Sequence, residues 1–395
     1  EAASPRAKVN LMREFLAANP ARLDEAEARR VADLCVSCRM CATECPGKVN
    51  VPKLMLEAKA LNHAARGLSR ATWFLARVEG IAALTGQVAT TANLLLGRPT
   101  FRWLLEKMVG VSRRRTLPSF AQRSFLKRTR RRGWQTKPDN PGVAYFVDTF
   151  ANLFDPQLAE AVIAVLQHNN IPVFVPPRQR GSGAAALVQG DLEVARERLL
   201  TNVRIFADAI RAGHTVVCSE PTAALFFTHD ALDLADDPDV RLVAENVVEL
   251  STFLWALHER GLLKTDFSPL SFSVGHHVPC HIKALGKAAG PKLLQLIPQF
   301  RATTLDLSCS GMAGTYGLTA KNYEKSLLAG RPMLEELAKP QHTFGSSECS
   351  ACRLQMQEGT GKRALHPVQY LALSYNLLPN VAERLRKPLR RRLSS

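Results

Sequence analysis

Acidic charge is short in this chain of 395 residues: 35 Asp and Glu face 52 Lys and Arg, a formal charge of +17. Such an excess suits nucleic acid, an anionic membrane surface or an acidic protein partner. The basic residues concentrate at 113–132 and in the tail 384–392, and neither stretch is interleaved with aromatics, so a nucleic-acid reader is not expected. Long apolar runs are missing as well. The charge-free stretch 80–97 approaches the length of a membrane span, but Thr85, Gly86, Gln87, Thr90, Thr91 and Asn93 make it too polar to cross lipid. The chain starts at Glu1 without a methionine and without a signal-peptide pattern, which reads as a piece of something longer. No hydrolytic triad, phosphate loop or zinc-protease pattern is present. The nine cysteines fall in close spacings that do not suit an extracellular disulfide framework, and a reducing, cytoplasmic setting is expected.

What is present centres on those cysteines. Cys35, Cys38, Cys41 and Cys45, followed by Pro46, form C-V-S-C-R-M-C-A-T-E-C-P. Cysteines three residues apart on a tight loop can wrap three corners of a cubane iron–sulfur cluster, with the fourth supplied where the chain turns away at the proline. In two-cluster ferredoxins the fourth cysteine ligates the other cluster, so Cys45 either closes its own cluster or serves one upstream. A structural zinc site takes two pairs separated by a dozen or more residues and does not match this crowding.

Around the run the pattern is helical. Asp24 with Glu27 can form a capping box, after which Ala28, Val31 and Leu34 share a face leading into Cys35, and Leu54, Leu56 and Ala58 follow Val51-Pro52 in a second helix. From 68 to 111 apolar residues recur at helical spacing, among them Trp73, Phe74, Ile81, Leu84, Trp103 and Leu104, and end in Arg113-Arg114-Arg115. An apolar face beside a basic run suits an interfacial anchor; a linker packed on the next domain with a solvated end is the alternative. Beyond Pro138 and Pro141, short strands at 143–147, 171–175 and 215–217 alternate with helices at 156–168 and 191–211, which predicts a parallel α/β arrangement.

The stretch from Gly181 to Glu220 aligns without gaps on that from Cys309 to Glu348 at an offset of 128, so two homologous halves are expected. The second half then brings Cys280, Cys309, Cys349 and Cys352 to loops at strand ends, where α/β folds gather ligands. The first half has Thr149, Gly181, Pro221 and Ala224 there, none able to hold iron. Cys218 aligns with Ser346 and reads as a small buried residue at a strand end. Gly181-Ser182-Gly183 lacks the tight strand–turn–helix of a dinucleotide site. His277 and His281 flank Cys280 as groups that tune it or satisfy backbone. Lys283 and Arg353 are the cations available to offset charge, with plain surface solvation as the other reading.

With V-P-C-H at 278–281, C-S-G-M-A-G-T-Y-G at 309–317 and S-E-C-S-A-C-R-L-Q at 347–355, the second half resembles the cysteine-rich CCG domain. That family includes the C-subunit of anaerobic glycerol-3-phosphate dehydrogenase, the glycolate oxidase iron–sulfur subunit and heterodisulfide reductase subunits. The opening S-P-R-A-K-V-N with the cysteine run is similar to the C-terminal part of fused flavin-linked D-2-hydroxyacid dehydrogenases. Two departures stand out. Ser310 replaces the second of two adjacent cysteines, leaving a conventional four-thiolate cluster or none at that site. The stripped first half does not match the two-cluster arrangement of heterodisulfide reductases.

The resemblance implies an α+β multidomain chain. Its parts are an all-helical ferredoxin-like domain (1–67), a basic helical linker that docks on a membrane or partner (68–140), a degenerate CCG repeat (141–268), a second CCG repeat (269–380) and a basic tail (381–395). It implies one [4Fe-4S] cluster at Cys35, Cys38, Cys41 and Cys45 and a second at Cys280, Cys309, Cys349 and Cys352, with FAD on an upstream domain or partner. The expected function is electron transfer within a flavin-dependent dehydrogenase acting on a 2-hydroxy acid or glycerol 3-phosphate, towards a quinone or other acceptor. Peripheral contact with the cytoplasmic face of the inner membrane goes with it. The alternatives are a heterodisulfide-reductase-like thiol/disulfide enzyme and a non-catalytic assembly module that bears one cluster.

Overall fold

The computed structural model describes residues 4–18, 26–47 and 49–386. Asp24, proposed as a cap, and the tail beyond Arg386 lie outside the described residues. The N-terminal part is helical: α1 (Pro5–Ala18), α2 (Ala26–Asp33), the single turn α3 (Met40–Thr43) and α4 (Val51–Arg66). Asn50 caps α4 by accepting from the Lys53 N–H at 3.2 Å, and Pro52 in the first turn needs no hydrogen-bond partner there. Met12, Ala32, Cys35, Val51, Met55 and Ala58 form a small core. The cysteine loop is thus rooted in apolar packing at its first cysteine, Cys35.

Four more helices follow, α5 (Arg70–Ala76), α6 (Val78–Thr85), α7 (Ala89–Leu96) and α8 (Pro99–Val109), then α9 (Phe125–Arg131). Their amphipathicity is inverted. In α5–α8 the buried residues are mostly small, Ala76, Ala82, Ala89 and Ala92 beside Leu75 and Arg102, whereas Trp73, Leu84, Leu94, Trp103, Leu104 and Met108 are exposed. Large exposed apolar groups gathered on one segment are the informative exception to ordinary burial. The arginine run divides. Arg113 and Arg114 are exposed, but the Arg115 guanidinium is fully buried, donating to Gly317 O (2.9 Å), Gln355 Oε1 (2.6 Å), Glu358 Oε1 (3.1 Å) and Ser326 Oγ (2.9 Å). The reading of the whole run as one basic face is corrected at this residue: a planar fork of donors serves as an internal strut between linker and second half.

The rest is two parallel sheets. The first contains β1 (Val143–Phe146), β2 (Val173–Phe174), β3 (Thr215–Cys218) and β4 (Val247–Glu249) in the order β2-β1-β3-β4. Its helices are α10 (Thr149–Leu153), α11 (Pro156–His168), α12 (Ala184–Gln189), α13 (Leu192–Arg211), α14 (Pro221–Leu225), α15 (Ala231–Leu234), α16 (Pro238–Asn246) and α17 (Leu250–Glu259). The second contains β5 (Ser273–His276), β6 (Arg301–Thr304), β7 (Phe344–Ser346) and β8 (Ala364–Leu365) in the same pattern, β6-β5-β7-β8. Its helices are α18 (Cys280–Ala284), α19 (Gly290–Gln295), α20 (Tyr323–Ala338), α21 (Ser350–Thr360), α22 (Pro367–Ser374) and α23 (Pro379–Arg386). The identical strand order matches the internal repeat.

The halves interlock. α11 packs on α22 and, in the mirrored relation, α17 packs on α19. One apolar core consequently runs from Val143, Val162 and Leu166 of the first half to Val274, Leu293 and Tyr370 of the second. Each such fully buried side chain contributes about 1.5–3 kcal/mol, so the first repeat is structurally inseparable from its partner. Cys218 ends β3 fully buried, as its alignment with Ser346 predicts.

Candidate metal centre

The first cysteine loop lies between α2 and α4. Ser37 (φ 52°) and Arg39 (φ 57°) adopt left-handed backbone, which turns the chain tightly enough to bring Cys35, Cys38 and Cys41 to one side. The loop is clamped from outside: Arg39 Nε donates to Asp230 Oδ1 at 2.7 Å and its guanidinium reaches Asp233, while Asn50 Nδ2 donates to Asp233 at 3.1 Å. Burial pushes the Cys38 thiol up, a backbone N–H at Met40 opposes this, and the neighbouring thiols Cys35, Cys309 and Cys41 push it up further. Cys41 is raised by burial and then by Cys35. Cys45, half-buried, follows α3 where the chain turns into Gly47.

The second group sits at strand ends. Cys280 opens α18 after β5, Cys309 is exposed on the loop after β6, and Cys349 caps α21 after β7 with Cys352 in its first turn. Burial pushes Cys280 well up, followed by Cys309, Cys38 and Cys349. Cys352 is held well up by its hydrogen bond with Cys349, then by burial. Thiols from both groups are therefore close enough to feel one another, with Cys38 facing Cys280 and Cys309 across the boundary between the helical part and the second sheet. α3 packs directly on α18, and the His281 imidazole meets the Ser37 backbone as well as Thr222 Oγ1 at 2.9 Å. His277, pushed down to about 4 by burial, is 3.4 Å from Leu305 O. Lys283 pairs with Asp306, and Arg353, buried, donates to Ser347 O and Glu348 O.

This donor set tests well against an iron–sulfur core. Thiols crowded in a partly buried place cannot ionise together unless a cation compensates them, and soft thiolates select iron–sulfur or zinc. Among the described residues no three His, Cys, Asp or Glu side chains converge tightly enough for a single metal ion. All described cysteines are free thiols.

Ser310 and its repeat partner Ser182 occupy the same loop position. Ser310 Oγ donates to Cys352 Sγ at 3.1 Å, and Gly311 N to Cys309 Sγ at 3.3 Å. A hydroxyl retained in the half that lacks the cysteines, where Ser182 Oγ accepts from Ala184 N at 3.2 Å, acts as a loop-shaping group first. In that half the loop is filled by a carboxylate from α6: Glu79 accepts from Gly183 N at 3.2 Å and Ser182 Oγ at 3.5 Å, and a Cβ at Gly181 would fall 2.4 Å from it. The Gly181-Ser182-Gly183 loop thus holds a protein side chain, which disposes of the dinucleotide reading.

Comparison with known proteins follows this division. Residues 2–50 match a 4Fe-4S dicluster domain, and residues 274–357 match a cysteine-rich domain. The chain joins these two iron–sulfur modules. It is homologous to the C-subunit of anaerobic glycerol-3-phosphate dehydrogenase from Escherichia coli (strain K12), at 26% identity over 83% of this chain and 82% of that protein. It is also homologous to D-2-hydroxyglutarate dehydrogenase of the same strain, at 24% identity over 87% of this chain but only 34% of the relative. Lactate utilization protein A of Shouchella clausii matches at 26% identity over 45% of this chain and 74% of its own length. The two modules imply iron–sulfur clusters.

Sequence reasoning passed over Arg39, Lys59 and Glu79, and took Arg115 only as one of a basic run. Lys59 had a readable signal: with Met55 and Asn62 it lies on the buried face of α4 at i, i+4 and i+7, an odd place for an ammonium.

Proposed function

We propose that this chain is the iron–sulfur electron-transfer component of a flavin-dependent dehydrogenase. Cys35, Cys38 and Cys41 hold one cluster, with Cys45 closing it or serving another, and Cys280, Cys309, Cys349 and Cys352 hold a second. Iron–sulfur clusters exchange single electrons, which divides the pair that a flavin delivers. The observation that carries the proposal is the packing of α3, in the first cysteine run, on α18, which Cys280 opens, with Cys38 among the groups that act on Cys280. Two ligand sets in mutual electrostatic contact make a short relay. Arg39, Asn50 and the α3–α18 contact hold the two loops in register, and Ser310 orients Cys352. Burial of Cys349 and Cys352, with Cys280 half-buried, limits water, and exposed Cys309 leaves one approach for a partner.

The donor in this reading is an FAD-bearing domain or protein that oxidises a 2-hydroxy acid or glycerol 3-phosphate, a range suggested by what the relatives are called. The acceptor is a quinone or another one-electron carrier. No helix among the described residues is long and apolar enough to cross a membrane, and the exposed apolar face of α5–α8 beside Arg113 and Arg114 supports peripheral contact with a lipid surface. A dithiol enzyme built on Cys349 and Cys352 is less well supported. Reactive thiols of that kind have lowered pKa values, whereas the hydrogen bond with Cys349 and then burial push Cys352 the other way.

Iron and acid-labile sulfide per chain, with electron paramagnetic resonance of anaerobically purified wild type and Cys280→Ala, test the assignment. About eight irons, with one signal lost in the variant, are expected for two [4Fe-4S] clusters. About four irons untouched by the substitution would remove the second centre and the relay with it.

A further inference from the structure

Lys59 is a cation placed where packing does not require one. It lies on the buried face of α4, 7% exposed, and its ammonium donates to two backbone carbonyls, Cys35 O and Val188 O, each at 2.8 Å. Neither acceptor carries a formal negative charge. Asp33 and Cys35 act on the ammonium through space to favour its charged form, Lys8 opposes them, and burial pushes its pKa below the ordinary value. The neighbouring chain accommodates the stem closely: Gly190, with φ +81°, would set a Cβ 2.5 Å from Lys59 Cβ. His63, one turn on, reaches Gln189 O at 2.9 Å, so the Lys59 face of α4 sits on the 188–190 segment at the end of α12. A buried ammonium is costly, and a methionine of similar reach would cross the same interface without that cost.

We propose that Lys59 is a positioning and tuning residue for the first cluster: its fixed positive charge, hydrogen-bonded to the carbonyl of the ligand Cys35, favours the reduced form of that cluster over the oxidised form. The inference rests on the reading that Cys35, Cys38 and Cys41 are ligands. Adding an electron makes a thiolate-bound core more negative, and a nearby cation held out of solvent favours the more negative state. Because Val188 belongs to the metal-free repeat, the same side chain ties the cluster loop to the scaffold that faces it towards Cys280.

The test is a potentiometric titration of the whole chain, followed by electron paramagnetic resonance, on wild type, Lys59→Met, Lys59→Gln and Lys59→Arg. Iron and sulfide are measured on each. With iron content unchanged, Lys59→Met and Lys59→Gln should move the midpoint of the first cluster to lower potential, by about 59 mV for each tenfold loss in the reduction equilibrium. The second centre should stay in place and Lys59→Arg should restore most of the shift. An unchanged midpoint in an iron-replete Lys59→Gln protein overturns the proposal while leaving the ligand assignment intact. Loss of the cluster from both uncharged variants would make Lys59 a folding determinant and overturn it as well. A wild type without the first cluster would overturn both this inference and the reading beneath it.

Discussion

Gly311 offers the sharpest test of how the second cysteine group is built. Its φ of +82° lies in the left-handed region, and a Cβ there would fall 1.9 Å from Ser326 O and 2.9 Å from Gly330 N. The contact is reciprocal, since a Cβ at Gly330 would fall 2.2 Å from Ser310 O. The loop carrying Cys309 and Ser310 thus rests backbone to backbone on α20, and neither side has a flexible chain end that could yield. In Gly311→Ala the left-handed conformation costs about 1–2 kcal/mol, and relieving the clash needs a shift of about 1 Å or more, adding about 1–3 kcal/mol by the usual cost of overpacking. Most of that falls on a loop that must hold Cys309 and the Ser310–Cys352 hydrogen bond in place. Gly314→Ala is the control, because Gly314 has φ +60° with nothing within 4 Å of its Cβ position. Anaerobic purification with iron analysis should show Gly311→Ala short of the second centre's iron, with the first centre's resonance intact, and Gly314→Ala replete. A Gly311→Ala protein with full iron and an unaltered spectrum would refute the account of the loop.

Two further outcomes follow from the geometry. Replacing Trp73 and Trp103 together by alanine should weaken binding to phosphatidylglycerol-containing vesicles about tenfold or more in a sedimentation assay, given what burying such rings contributes; wild type that ignores these vesicles would end the lipid reading. Asp148 is pushed up to about 7 by burial and then by Glu220, against the Phe150 and Ala151 N–H groups and Arg353, and Glu249 is likewise pushed up to about 7 by burial and then by Glu348. A carboxyl raised on folding contributes stability that is fully present below its unfolded value near 4 and is lost as pH rises through 7. Asp148 and Glu249 therefore pull the melting temperature down between pH 5 and pH 7, while His277, His281 and His366, pushed below their ordinary value by burial, pull it up over the same range, so the Asp148 share is read as the difference in slope between wild type and variant. Asp148→Asn, which keeps an oxygen for the capping N–H groups, should remove that downward share; an equal slope in both proteins would mean that Asp148 is ionised throughout.

How much of this was legible in sequence depended on the range of the interaction. α11 appears at the predicted 156–168 and α13 within the predicted 191–211, with Asp191 as its cap, because capping and periodicity are local. The repeat offset set Cys309, Ser310, Cys349 and Cys352 against Gly181, Ser182, Pro221 and Ala224, and a three-residue shift set Cys280 against Thr149, since homologous copies keep nearly the same register. By contrast, Arg115 was read as part of a solvated run because its acceptors lie about two hundred or more residues away, at Gly317, Ser326 and Gln355. Glu79 drew no notice because the loop it fills is about a hundred positions on.

The sequence by itself determined the chemistry: thiol spacing chooses iron–sulfur, and strand alternation chooses parallel sheets, because both are written in neighbouring residues. Only the tertiary structure decided that α3 of the first cysteine run packs on α18 of the second group and that the first repeat carries the first run through Asp230, Asp233 and Val188. That outcome comes from helices of one half packing on helices of the other, a matter of complementary surfaces far apart along the chain.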